Sequence, residues 1–107
     1  MTKVTIYKNQ TEECVGFRVF GHAGYADAGE DIVCAAISIL VINTMNAIET
    51  YTDVHFTQDV GDGTISYRID KPTSETTLLL STMILGLQSL EENENYADYI
   101  DLIFEEV

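Results

Sequence analysis

Near the N-terminus apolar and polar residues alternate. Val4 and Ile6 fall on one side and Thr5 and Tyr7 on the other, the two-residue period of a half-buried strand. The run CVGFRVF, Cys14 to Phe20, alternates again, with Val15, Phe17 and Val19 on one side and Cys14, Gly16 and Arg18 on the other. The polar stretch NQTEE between the runs predicts a β-hairpin. From Ile32 to Ile42 the period is lost, and Ser38 alone interrupts an apolar run. This predicts a buried helix, with Asp31 as its N-cap and its end near Glu49 or Thr50. Its first turns are apolar nearly all round, so a second layer or a partner subunit is expected to cover more than one side.

VHFTQDVGDGTISYRID predicts a second hairpin, turned by GDG, with Ile65, Tyr67 and Ile69 on one face. Pro72, Thr73 and Ser74 then punctuate the chain. Leu78, Leu79, Met83, Ile84, Leu87 and Leu90 follow at helical spacing. The final YIDLIFEEV reads as a strand. The element order is β-β-α-β-β-α-β. It predicts an α+β fold of one domain, residues 1–107, in which two helices pack against largely antiparallel strands.

Charge narrows the partners. The 107 residues carry a net charge of −13, with −4 up to Asp53 and −9 from Val54 onward. An average this negative argues against a nucleic-acid backbone or an anionic membrane as direct partner and favours a basic protein. MTKVTIYKNQ lacks the continuous apolar core of a signal peptide, and Ile32 to Ile42 is too short to span a bilayer. Cytoplasmic, reduced thiols are the expectation for Cys14 and Cys34.

The stretch GHAGYADAGEDIVCAAIS, Gly21 to Ser38, carries the candidate chemistry. With Asp31 as N-cap, Cys34 would lie in the first helical turn. Free N–H groups and the positive end of the helix dipole would there favour its thiolate, the nucleophilic form. His22 would supply the imidazole if the loop folds back, and Asp31 would cap the helix, orient His22, or both. Gly21, Gly24 and Gly29 permit sharp reversals, and Ser38 follows Cys34 one turn along the same face. The plain alternatives are that Cys34 is a small buried apolar residue, His22 a turn residue and Ser38 bonded to its own backbone. A metal site lacks ligands, since only Cys14 and His55 remain, on separate predicted strands. No cofactor is expected. Cys14 reads as structural. A Cys14–Cys34 redox switch is a further alternative.

The same stretch resembles the signature of the bacterial ribosomal-processing cysteine proteases, the Prp family, and the resemblance extends over nearly the whole chain. It implies a cysteine endopeptidase that removes the N-terminal extension of a basic large-subunit ribosomal protein, the one numbered twenty-seven. It implies Cys34 as nucleophile, His22 as general base, and Asp31 and Ser38 as support. Gly21, Gly24 and Gly29 would belong to a mobile loop, and the chain would form a homodimer. A non-catalytic module binding the same basic ribosomal protein is the alternative.

Overall fold

The computed structural model describes residues 1–21 and 28–107. β1 (Thr2–Lys8) and β2 (Cys14–Phe20) form the first hairpin, and α1 (Ala28–Tyr51) follows. β3 (Phe56–Gly61) and β4 (Thr64–Ile69) form the second hairpin, before α2 (Ser74–Glu92). A 3-10 turn (Ala97–Tyr99) leads into β5 (Ile100–Glu106). All five strands join one sheet in the order β3-β4-β2-β1-β5. Every pairing is antiparallel except β1 with β5.

Strand alternation sorts the sheet into a packed face and an open face. Val4 pairs with Val19 and Ile6 with Phe17, and all four are buried. Tyr67 continues the row from Phe17, its ring stacked between Phe17 at 5.3 Å and Phe56 at 5.2 Å. Offset contacts of this kind add about 0.5–1.5 kcal/mol to the burial of the rings. Over this face lie Val33, Ile37, Val41, Met45 and Ile48 of α1, at the spacing of one helical stripe, with Leu80, Met83, Ile84 and Leu87 of α2. The two helices approach closely at Gly86, where a Cβ would meet Leu40 Cδ2 at 2.8 Å.

The second layer covers α1 along one stripe only: Ile32, Ile39 and Ile42 remain 52%, 69% and 46% exposed. By length and composition Glu30–Tyr51 would suffice to cross a membrane; here its opposite stripe is packed on the sheet. Cys14, read as sharing the Arg18 side of β2, is buried in the core. A register shift at Tyr7/Lys8 pairs Lys8 with Cys14 but Tyr7 with Gly16. The extra residue, Val15, reverses the alternation and turns Cys14 inward.

α2 begins with a capping box. The Thr73 hydroxyl accepts from the Thr76 backbone N–H at 3.2 Å, and the Thr73 N–H donates to Thr76 Oγ1 at 2.8 Å. Pro72, Thr73 and Ser74 thus punctuate the chain as read from sequence.

Candidate active site

Cys34 is a free, half-buried thiol. It opens into a cavity of about 220 Å³ at the end of the molecule where β2 finishes and α1 begins. Ile37 and Ser38 continue the α1 wall, Val19 and Ile65 form the floor, and Gly21 and Gly63 close one side. Cys34 and Ser38 are therefore brought together, as their four-residue spacing requires. The cavity is lined mainly by aliphatic groups beside a thiol, an arrangement able to seat an apolar side chain next to that thiol.

The rim is held by backbone. The Gly21 N–H donates to the Gly63 carbonyl at 2.9 Å, tying the end of β2 to the β3–β4 turn. Gly63 adopts φ +71°, which L side chains rarely do, and a Cβ there would also meet the Gly21 carbonyl oxygen at 2.6 Å. A Cβ on Gly21 would meet Thr2 Cγ2 at 2.8 Å. Gly63 is thus demanded by its backbone conformation and by close packing, and Gly21 by close packing. Sequence reading found Gly21 but took Gly63 for an ordinary hairpin turn. Thr2, Val19 and Val60 of the wall were missed, because nothing in their local patterns connects them with Cys34.

The helix start differs from expectation. α1 begins at Ala28, so Asp31 sits exposed inside the first turn with Glu30 and is not the N-cap. The propensities of Ala28 and Glu30 let the helix extend upstream of the apolar run. Cys34 becomes the seventh helical residue, and its own N–H enters the intrahelical ladder. The free first-turn N–H groups belong to the residues before it. The thiolate-at-the-helix-tip argument loses its geometric basis. Gly29 is the second residue of the helix. The Met1 ammonium pairs with the Glu30 carboxylate at this same end. His22 and Gly24 lie outside the described residues.

The remaining candidates are remote. Cys14 is 4% exposed, and its thiol donates to the Gly16 carbonyl at 3.4 Å. Burial pushes this thiol up from its ordinary range. Five residues of strand, roughly 16 Å, separate Cys14 from Val19 on the cavity floor. A disulfide needs Cα atoms within about 7 Å, so a Cys14–Cys34 switch does not fit this fold. His55 is exposed and not within a strand. It lines a separate hollow of about 510 Å³ with Tyr51, Asp53 and Asp70, beyond the far end of α1. At 1.5 Å per residue, that end is about 25 Å from Cys34.

Comparison with known proteins bears on this cavity. The family model described as cysteine protease Prp matches residues 1–101. A ribosomal processing cysteine protease Prp from Staphylococcus aureus is 32% identical over 99 residues, covering 89% of this chain and 92% of the relative. Its namesake from Bacillus subtilis is 26% identical over 100 residues, covering 87% and 89%. Among solved structures, the essential ribosomal processing protease Prp from S. aureus in complex with a substrate peptide superposes with a TM-score of 0.90 at 30% identity. That superposition covers 98% of this chain and 100% of the other. The SMU.848 protein of Streptococcus mutans gives a TM-score of 0.83 at 28% identity, covering 100% and 99%. With a thiol at a cavity, this fold and a family match along nearly its whole length, the chain belongs to the cysteine protease Prp family.

Proposed function

We propose that this chain is the endopeptidase that removes the N-terminal extension of large-subunit ribosomal protein twenty-seven, with Cys34 as nucleophile and His22 as base. The observation that carries the reading is Cys34 itself: of the two thiols, it alone opens into a cavity, and the other is sealed in the core. The related S. aureus protease has been seen both with a substrate peptide and with a covalently linked product peptide, which supports a thiol attacking a peptide carbonyl.

His22 is supported by elimination and by chain connectivity. The chain has two histidines, and His55 stands at the far end of α1. Gly21, the residue bonded to His22, is a wall of the Cys34 cavity. The reaction then runs in two steps. The Cys34 thiol gives its proton to His22 as its sulfur attacks the scissile carbonyl carbon and forms a C–S bond. The C–N bond breaks as His22 gives a proton to the leaving amine. Water, losing a proton to His22, then adds to the thioester and releases the acid and the thiol. Ser38, on the same cavity wall, and Asp31, one turn before Cys34, are positioning residues.

Two further features fit. A chain of net charge −13 attracts a basic ribosomal protein, so cleavage of the whole substrate is expected to fall with salt more steeply than cleavage of a short neutral peptide. The exposed Ile32, Ile39 and Ile42 of α1 give a second copy of the chain an apolar ridge to pack on. A homodimer by sedimentation that dissociates on Ile39→Lys is the expected result; a monomer at all concentrations would remove this part.

The test is incubation with a ribosomal protein bearing its N-terminal extension, read by mass spectrometry. One cleavage is expected, removing the extension, and none with Cys34→Ala. Processing by Cys34→Ala at the wild-type rate would overturn Cys34 as the nucleophile, and no processing by the wild type would leave a binding module.

A further inference from the structure

The open face of the sheet carries a charge pattern that the composition conceals. Reading across β4, β2 and β1, three residues point to this face in succession: Arg68, Arg18 and Lys3. Arg68 pairs with Gly16, Arg18 stands two residues further along β2 and pairs with Thr5, and Lys3 stands two residues from Thr5. Each step crosses one strand and advances two residues, so the Cα atoms form a diagonal with steps of about 8 Å. These are three of the chain's five basic residues. Among the described residues none of the three enters an ion pair, although the chain has 18 carboxylates.

Two rings flank the diagonal. The Arg68 guanidinium lies 4.9 Å from the centre of the Tyr7 ring, and that of Arg18 lies 5.9 Å from the Phe20 ring. Phe20 is 58% exposed. The first contact depends on Gly16 between the two strands. A Cβ there would meet the Tyr67 carbonyl at 2.3 Å and Arg68 Cδ at 3.3 Å, and so would lift the guanidinium from its path to Tyr7. Two shallow hollows of about 370 and 390 Å³ meet at Tyr7 and Arg18. Acidic residues reach this face from the two edge strands: Asp59 on β3 lines the hollow of Arg18 and Arg68, and on β5 Asp101 stands opposite Lys3 and Glu105 opposite Tyr7.

The geometry points to a docking face for a short single strand of nucleic acid, crossing the diagonal with its phosphates on Lys3, Arg18 and Arg68 and its bases on the Tyr7 and Phe20 faces. Cations alone would take any anion. Rings paired with guanidinium planes add a stacking platform, which bases use and carboxylates do not. The acidic margins restrict the footprint to one strand and oppose a duplex. The average charge of −13 weakens the encounter, but at about 0.1 M salt it is screened beyond roughly 10 Å, and the local cations act within that range. Three phosphate contacts to a single strand imply a log–log salt slope near −2.

The test is fluorescence anisotropy of fluorescein-labelled octauridylate titrated with the full chain between 20 and 200 mM salt (about a tenfold range). Affinity is expected to fall about 100-fold across that range. Arg18→Gln and Lys3→Gln should each make the slope shallower by about 0.7, and Phe20→Ala should weaken binding with the slope unchanged. Peptide cleavage by these variants should stay at the wild-type level, since all three side chains lie on the face opposite Cys34. No binding at 20 mM salt would overturn the proposal. So would equal displacement by an octaglutamate peptide, or binding indifferent to Arg18→Gln.

Discussion

Replacing Gly63 by alanine tests whether the β3–β4 turn builds the active-site rim. Two costs add. The residue holds φ +71°, where an L side chain costs about 1–2 kcal/mol. Its Cβ would also stand 2.6 Å from the Gly21 carbonyl oxygen. Relieving that overlap must move either the turn or the end of β2, since both atoms belong to backbone, and overpacking of this kind costs about 1–3 kcal/mol. The variant is expected to lose roughly 2–5 kcal/mol by urea denaturation, a fall in Tm of about 10 °C or more for a domain of this size. Cleavage should fall further than unfolding explains, because the displaced Gly21 is both a cavity wall and the neighbour of His22. Gly61, two residues earlier, is the control: a Cβ there meets nothing within 4 Å, so Gly61→Ala should stay within about 0.5 kcal/mol of wild type. Equal stability and activity for the two variants would refute the reasoning.

Four other outcomes follow from the same geometry. Asp31→Ala should change stability by less than about 0.5 kcal/mol, as fits an exposed residue inside the helix, by thermal unfolding; a loss of 1–2 kcal/mol would restore it as a cap. Thr73→Ala removes one half of the capping box and should cost about 1–2 kcal/mol by the same measurement. The Tyr67 hydroxyl is buried without a partner among the described residues, so Tyr67→Phe should be neutral or stabilising by up to about 1 kcal/mol in urea. Burial, and secondarily the Glu49 carboxylate, push the Tyr67 phenol up from its ordinary 10 to about 12. The folded protein therefore holds this proton more tightly than the unfolded chain. The resulting stability is complete below pH 10 and is lost as pH rises towards 12, and Tyr67→Phe should flatten that part of the stability–pH curve.

Most of the fold was legible because its signals are local. The alternation of Val4 and Ile6, the period of Leu80, Met83 and Leu87, and the GDG turn each report on their own few neighbours. The positions of Cys14 and Asp31 were misread for a shared reason. A bulge and an upstream helix extension each shift register by a few residues, and apolar patterning does not mark where a ladder slips or a helix starts. The site was legible as a motif from Gly21 to Ser38, but its cavity was not. Val19, Val60, Gly63 and Ile65 reach Cys34 only through pairing of β2 with β4 and of β4 with β3. The sheet's open face was hidden for a different reason: a net charge is an average, and Lys3, Arg18 and Arg68 come together only once β1, β2 and β4 are aligned.

The central claim is that Cys34, and not Cys14, does the chemistry. Limiting iodoacetamide under native conditions, with peptide mapping and residual cleavage followed together, tests it most directly. The account predicts one carbamidomethyl group on Cys34, Cys14 unmodified, and activity lost in step with labelling. Full processing by protein wholly modified at Cys34 would contradict it.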